Sequence, residues 1–139
     1  MSVIMDEALK DENSNTIYPY QPFFDFKLNT EQRVGTWTDG KPLYRYIISG
    51  TKSASTDFTT KLPSGIDKIA MVDGWLYTTQ NVIKYLTQYK DANNNVRYEV
   101  NTASSPYVFK VSGTASSAYY YGPFIGIVYY TKTSDSSNS

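Results

Sequence analysis

The 139-residue chain contains no cysteine and no histidine. The first absence removes disulfides, thiolate nucleophiles and thiolate zinc sites; the second removes the commonest metal ligand and general base. Catalysis would have to run on carboxylates, lysines or hydroxyls alone. An excess of one charge is missing as well: thirteen basic and thirteen acidic residues cancel, so the electrostatic footprint of a nucleic-acid or anionic-membrane binder is not there. Long hydrophobic runs are also wanting. The longest, "FIGIVYY" (residues 124–130), falls far below the roughly 20 residues of a membrane-spanning helix and reads as a buried strand. The N-terminus "MSVIMDEALKDENSN" has no basic stretch and places acids where a signal peptide is apolar. The expectation is a protein made in the cytoplasm that leaves, if it does, by a route other than secretion. A chain of this length suits one domain with a real core, plus tails.

Motifs that carry chemistry are absent too. The acids are scattered, and Asp67 and Asp73 would share a face only on one unbroken strand, which the turn-like Asp73-Gly74 pair argues against. A glycosidase built on paired carboxylates therefore has no visible basis. There is no Gly-x-Ser-x-Gly elbow, Walker loop or dinucleotide fingerprint. No enzymatic activity, metal site or cofactor is expected.

What the chain has in quantity is tyrosine, fourteen of them, with Thr, Val and Ile that suit a pleated, half-buried surface. From residue 30 onward, short strand-like runs alternate with turn signals. "LYRYIIS" (43–49) starts after Pro42 and stops at Gly50; "FTTKL" (58–62) precedes a Pro-Ser-Gly turn; "IDKIAMV" (66–72) runs into Asp73-Gly74, with "WLYT" (75–78) beyond. "VRYEV" (96–100), "YVFKVS" (107–112) and "FIGIVYYTK" (124–132) follow. The first of these sets Val96, Tyr98 and Val100 against Arg97 and Glu99, the period-two signature of a strand. Residues 82–89 fit helical spacing through Val82, Tyr85, Leu86 and Tyr89, but an asparagine-rich turn and strand neighbours favour a strand there. With no repeating βα unit, the pattern predicts an all-β domain, an antiparallel β-sandwich of jelly-roll-like kind.

The N-terminal 29 residues differ from this. Asp6, Glu7, Asp11 and Glu12 crowd the start, and the spacing allows a short helix over residues 3–10, too short to stand alone. Next comes "TIYPYQPFFDFKL", whose Pro19 and Pro22 forbid a helix interior or a central strand. Its Tyr18, Tyr20, Phe23, Phe24 and Phe26 are too apolar for a free linker. The expectation is an extended anchor (residues 1–29) lying on a surface, its own or a partner's, ahead of the sandwich (30–132) and a disordered polar tail (133–139).

Two aromatic clusters stand near turns: Trp75 with Tyr77, and Tyr119, Tyr120 and Tyr121 in "AYYYG". On a strand, Tyr119 and Tyr121 would face one way and Tyr120 the other. Such rings either finish the core of the last hairpin or form a surface that stacks on sugars or packs against another subunit.

"TWTDGKPLYRYIISG" (36–50) is a scaffold device by its turn chemistry. Asp39-Gly40 supports a reversal, Pro42 fixes the chain before the strand, and Trp37 can pack back over the turn. This stretch, with "LPSGIDKIAMVDGW" and the closing "YVFKVSGTASSAYYYGPFIGIVYYTKT", resembles the small C-terminal β domain of tail-fibre and minor structural proteins of phages and prophages. That family opens on a "GTWxDGKPLYR" pattern, matched here by Gly35, Thr36, Trp37, Asp39, Gly40, Lys41, Pro42, Leu43, Tyr44 and Arg45. It closes near "LEYTKT", matched by Tyr130, Thr131, Lys132 and Thr133. The likeness spans residues 30–133 and is loose between 78 and 105, so no ligand site is carried over there.

The resemblance implies a receptor-binding or head-fibre type of virion structural protein, displayed on the particle and taking part in host attachment, with a homotrimer as its assembly. It further implies docking of residues 1–29 on another virion protein and a host cell-surface glycan as a ligand for the aromatic clusters, with no nucleic acid and no membrane insertion. The alternative from the residues is a stand-alone carbohydrate-binding module.

Overall fold

The computed structural model describes residues 9–10, 13, 16–17, 25–53, 55–78, 83–85, 96–113 and 121–137, of which 9–10, 16–17 and 83–85 are described by backbone alone. Among these residues there are ten strands and no helix. Strands β1 (Leu9–Lys10) and β2 (Thr16–Ile17) form a small antiparallel ribbon. Leu9 and Lys10 are thus paired with β-branched Thr16 and Ile17 rather than ending a helix; a helix of two turns gains too little to compete with a strand partner a few residues away.

The domain proper is an all-β sandwich of two antiparallel sheets. One has five strands in the order β3 (Gln32–Thr36), β4 (Pro42–Lys52), β10 (Gly122–Lys132), β6 (Ile66–Tyr77) and β7 (Ile83–Tyr85). The other has three, β5 (Phe58–Lys61), β9 (Val108–Ser112) and β8 (Arg97–Asn101). The pairing is nested: β4 pairs with β10 and β5 with β9, as in the winding of a jelly roll. Residues 83–85 form the expected strand; the rest of 82–89 lies outside the described residues.

Inward residues of both sheets make the core: Ile48, Leu76, Phe124, Val128 and Tyr130 from one, Phe109 and Val111 from the other. Phe58 meets Phe124 edge-on at 4.9 Å between ring centroids, and Phe109 lies 6.4 Å from Phe124.

Two glycines expected to end strands instead lie inside them. β4 runs through Gly50, where a Cβ would come within 2.7 Å of Phe58 and 2.8 Å of Phe124. β6 runs unbroken through Asp73-Gly74, which is no turn: Gly74 is buried opposite Gly126, and its N–H donates to Asp73 Oδ1 at 2.8 Å. Gly50 leaves room for the rings between the sheets, a requirement that local turn chemistry cannot reveal. The turn at Asp39-Gly40 is present as expected, with Gly40 at φ 85° and hydrogen bonds from the Trp37 N–H to the Lys41 carbonyl and from the Gly40 N–H to the Trp37 carbonyl.

Candidate functional site

The segments around residues 31–45 and 130–133 meet at one end of the five-stranded sheet. Tyr130 lies opposite Tyr44 with their rings stacked at 6.0 Å. The fully buried Tyr130 donates its hydroxyl proton to Glu31 Oε2 at 2.6 Å, and Lys132 Nζ donates to Glu31 Oε1 at 2.7 Å. Lys41 Nζ donates to Asp67 Oδ2 at 2.8 Å. Burial, and then the Glu31 carboxylate, push the Tyr130 phenol far above its ordinary value. The hydrogen bond to Glu31 raises the Lys132 ammonium, and Lys41 holds the Asp67 carboxyl below its usual range. Glu31 and Asp67 are each engaged by a cation or a hydroxyl, so the cluster is a clasp joining separate segments of the chain. Among the described residues no set of three or more acids could hold a metal ion.

Beside this clasp the N-terminal stretch joins the sheet. Leu28 bridges Ile47 in parallel, and the Asn29 N–H donates to the Ile47 carbonyl at 2.8 Å. Arg45, fully buried, donates through Nη2 to the Asp25 carbonyl at 2.8 Å and to Gln32 Oε1 at 3.1 Å, and Phe26 covers its guanidinium at 4.4 Å. Of the expected anchor rings, Phe26 therefore stacks on the protein's own arginine while remaining 63% exposed. Tyr18, Tyr20, Phe23 and Phe24 lie outside the described residues.

The outer faces of the two sheets differ sharply. On the three-stranded sheet, Thr59, Lys110 and Glu99 form one cross-strand row over an open depression of ≈ 610 Å³. Its ion pairs, Lys110 to Asp57 at 3.5 Å and to Glu99 at 3.9 Å, are well exposed and weak. On the five-stranded sheet, the central strand β10 turns Ile125, Ile127 and Tyr129 outward without a polar residue between them. Met71, facing Tyr129 from β6, is 48% exposed, and Leu28 is 52% exposed. A strand of an antiparallel sheet facing water alternates apolar-in and polar-out; β10 does not.

At the far end of the same face stand Trp75, directly opposite Ile125, and Tyr77 beyond it. Two residues apart on β6, they share a face, and Trp75 Nε1 donates to the Tyr77 hydroxyl at 2.6 Å. Tyr77 is 41% exposed. Gly122, at φ 149°, sits so close to the Tyr77 carbonyl that a Cβ would strike it. This brings Tyr121, the residue before it, to the same end; Tyr119 and Tyr120 lie outside the described residues. Trp75 and Tyr77 are thus brought together as surface residues. Sequence reasoning did not single out Met71, Leu28 or Ser49, because only the register of β4, β10 and β6 puts them on one face.

No family model matches the chain, and no curated protein or solved structure matches it.

Proposed function

We propose that the chain is a structural protein of a phage virion, displayed on the particle as a tail fibre, head fibre or capsid decoration, and that it takes part in attachment to the host surface. The observation that carries this reading is the outward apolar stripe of Ile125, Ile127 and Tyr129 with Met71 and Leu28. Aromatic and aliphatic residues without charge are what the buried centre of a subunit contact is made of. The resemblance of residues 30–133 supplies the setting, and the N-terminal stretch, which meets the sheet at the stripe's end, supplies the anchor. Three copies packed by this stripe form the proposed assembly.

Two measurements test it. Light scattering on the purified full-length protein should report a trimer; a strict monomer at high concentration counts against assembly through the stripe. Deleting residues 1–24 should leave a folded domain that no longer copurifies with virions, and normal incorporation of that truncation refutes the anchor. The deletion stops there because Asp25 and Phe26 hold Arg45 in the folded domain. The alternative, a stand-alone carbohydrate-binding module, is favoured by the paired Trp75 and Tyr77 alone; a monomer that binds sugar and never joins a particle would select it.

A further inference from the structure

We infer that Trp75 and Tyr77 are the platform of a binding site for a neutral pyranose glycan, formed on the outer face of the five-stranded sheet at the end away from the anchor. This rests on the host-attachment reading for its purpose, but not for its chemistry. Register defines the surroundings. Ile125 of β10 lies between Trp75 on one side and Ser49 on the other, and Pro123 faces Thr51. Ser49, Thr51, Pro123 and Asp73 are exposed.

The chemistry of this end differs from that of the stripe. β10 itself gives the stripe only apolar outward residues; at this end two rings adjoin two hydroxyls, with the Asp73 carboxylate, opposite Ile127, on the side toward the stripe. A pyranose has matching halves, a C–H face that lies on an aromatic ring and an edge of hydroxyls that seeks hydrogen bonds. The Trp75 N–H is already given to Tyr77, so the indole has no polar group left to satisfy and meets a ligand through its π-face. The Tyr77 oxygen accepts that bond, which leaves its own proton to donate. Asp73 Oδ1 takes the Gly74 N–H, which leaves Oδ2 for a sugar hydroxyl. The same carboxylate disfavours anionic sugars, and this selects a neutral one. Ser49 lies two strands from Trp75, about 10 Å at ordinary strand spacing, a distance that a disaccharide spans.

The platform is also rigid and well placed. Its residues come from three adjacent strands, β4 and β6 on either side of β10, and the Trp75–Tyr77 hydrogen bond orients both rings before a ligand arrives, so little ordering opposes binding. Its row is four residues along the strands from the row of Arg45, Tyr129 and Met71, about 13 Å. A domain held at the anchor end therefore presents these rings outward.

The test uses the full-length protein and four probes: cellopentaose, maltohexaose, the tetramer of N-acetylglucosamine, and a galacturonate trimer as the anionic comparison. The readout is the indole N–H resonance of Trp75, with Trp37 as internal reference. At least one neutral oligomer should shift the Trp75 signal saturably, with a Kd of about 1 mM or tighter, while Trp37 stays in place and the galacturonate trimer does nothing. Tyr77→Ala, at an exposed position, should weaken that binding about tenfold or more, and Tyr77→Phe should fall between. The inference is overturned if no neutral oligomer moves Trp75 at about 10 mM, if Trp37 moves instead, or if Tyr77→Ala binds like the parent. Because the titration needs no virion, a chain absent from particles that still binds sugar refutes only the virion reading. A chain found in particles that binds none refutes only the site.

Discussion

Gly126→Ala is a small change with a large expected effect. Gly126 lies at the middle of β10, its α-carbon facing the core, and the added methyl would sit 2.6 Å from Phe109 Cζ and 3.1 and 3.3 Å from the two Cε atoms. The ring has nowhere to go. Phe109 is fully buried, stacked at 6.5 Å on Tyr98 and tilted at 6.4 Å against Phe124, so moving it displaces both sheets. Overpacking of this kind costs about 1–3 kcal/mol. Against it stands the loss of unfolded-state freedom when glycine becomes alanine, worth about 0.4–1 kcal/mol. The net expectation is destabilisation by about 1–2 kcal/mol, a large share of a total stability of about 5–15 kcal/mol. Urea unfolding followed by tryptophan fluorescence should show a lower midpoint with an unchanged slope. Phe109→Leu alone also destabilises, by leaving a cavity, but it vacates the space the methyl needs. The double variant should therefore be more stable than the sum of the two losses, by about 0.5 kcal/mol or more. If Gly126→Ala is neutral within about 0.3 kcal/mol, or the two changes simply add, the sheets are not packed ring on glycine as described.

Two further outcomes concern the clasp. Glu31→Ala strands the buried Tyr130 hydroxyl and should destabilise by about 1–3 kcal/mol; adding Tyr130→Phe should restore much of the loss in thermal melts, and no restoration would mean that the hydroxyl is not the group left wanting. The Asp67 carboxyl titrates below its ordinary 3.8 because Lys41 donates to it. Its contribution is therefore present above pH 3.8 and fades as pH falls through the lower folded-state value. Asp67→Asn should flatten the acid limb of stability against pH, and an unaltered limb would show that the pair is not formed in solution.

The elements most legible from sequence were those whose side chains alternate. Residues 97–101 and 108–112 become β8 and β9 because period-two patterns record which face is buried. The two-faced apolarity of "FIGIVYY" likewise gave a strand whose outward residues are apolar. What escaped was long-range. Gly50 and Gly74 read as punctuation because glycine near Asp or Ser usually is; their real neighbours, Phe58 and Phe124 for Gly50 and Gly126 for Gly74, are distant in sequence. β3 was not foreseen, since Arg33 and Gly35 interrupt any alternation and its pairing with β4 carries a bulge between them. The clasp was not legible either: Glu31, Lys41, Asp67, Tyr130 and Lys132 converge there from separate segments. For the candidate site, the residue types were visible in Trp75 and Tyr77, whereas the hydroxyls across from them were not, because register has no signature in composition.

The nested pairing has a consequence for how the molecule comes into being. β10 is the middle strand of the larger sheet, flanked by β4 and β6, yet it follows both of them, and every other strand among the described residues, in the sequence. Until residue 132 has emerged, β4 and β6 have no partner between them, and their inward rings and isoleucines wait uncovered on the nascent chain. Contacts so distant in sequence make folding slow compared with that of locally wired domains. Through that interval the unfinished chain carries open strand edges that invite wrong pairings. A product cut short by premature termination would lack both the central strand and the Lys132 half of the clasp. Translation thus acts as a checkpoint, because only copies read through β10 can close the sandwich.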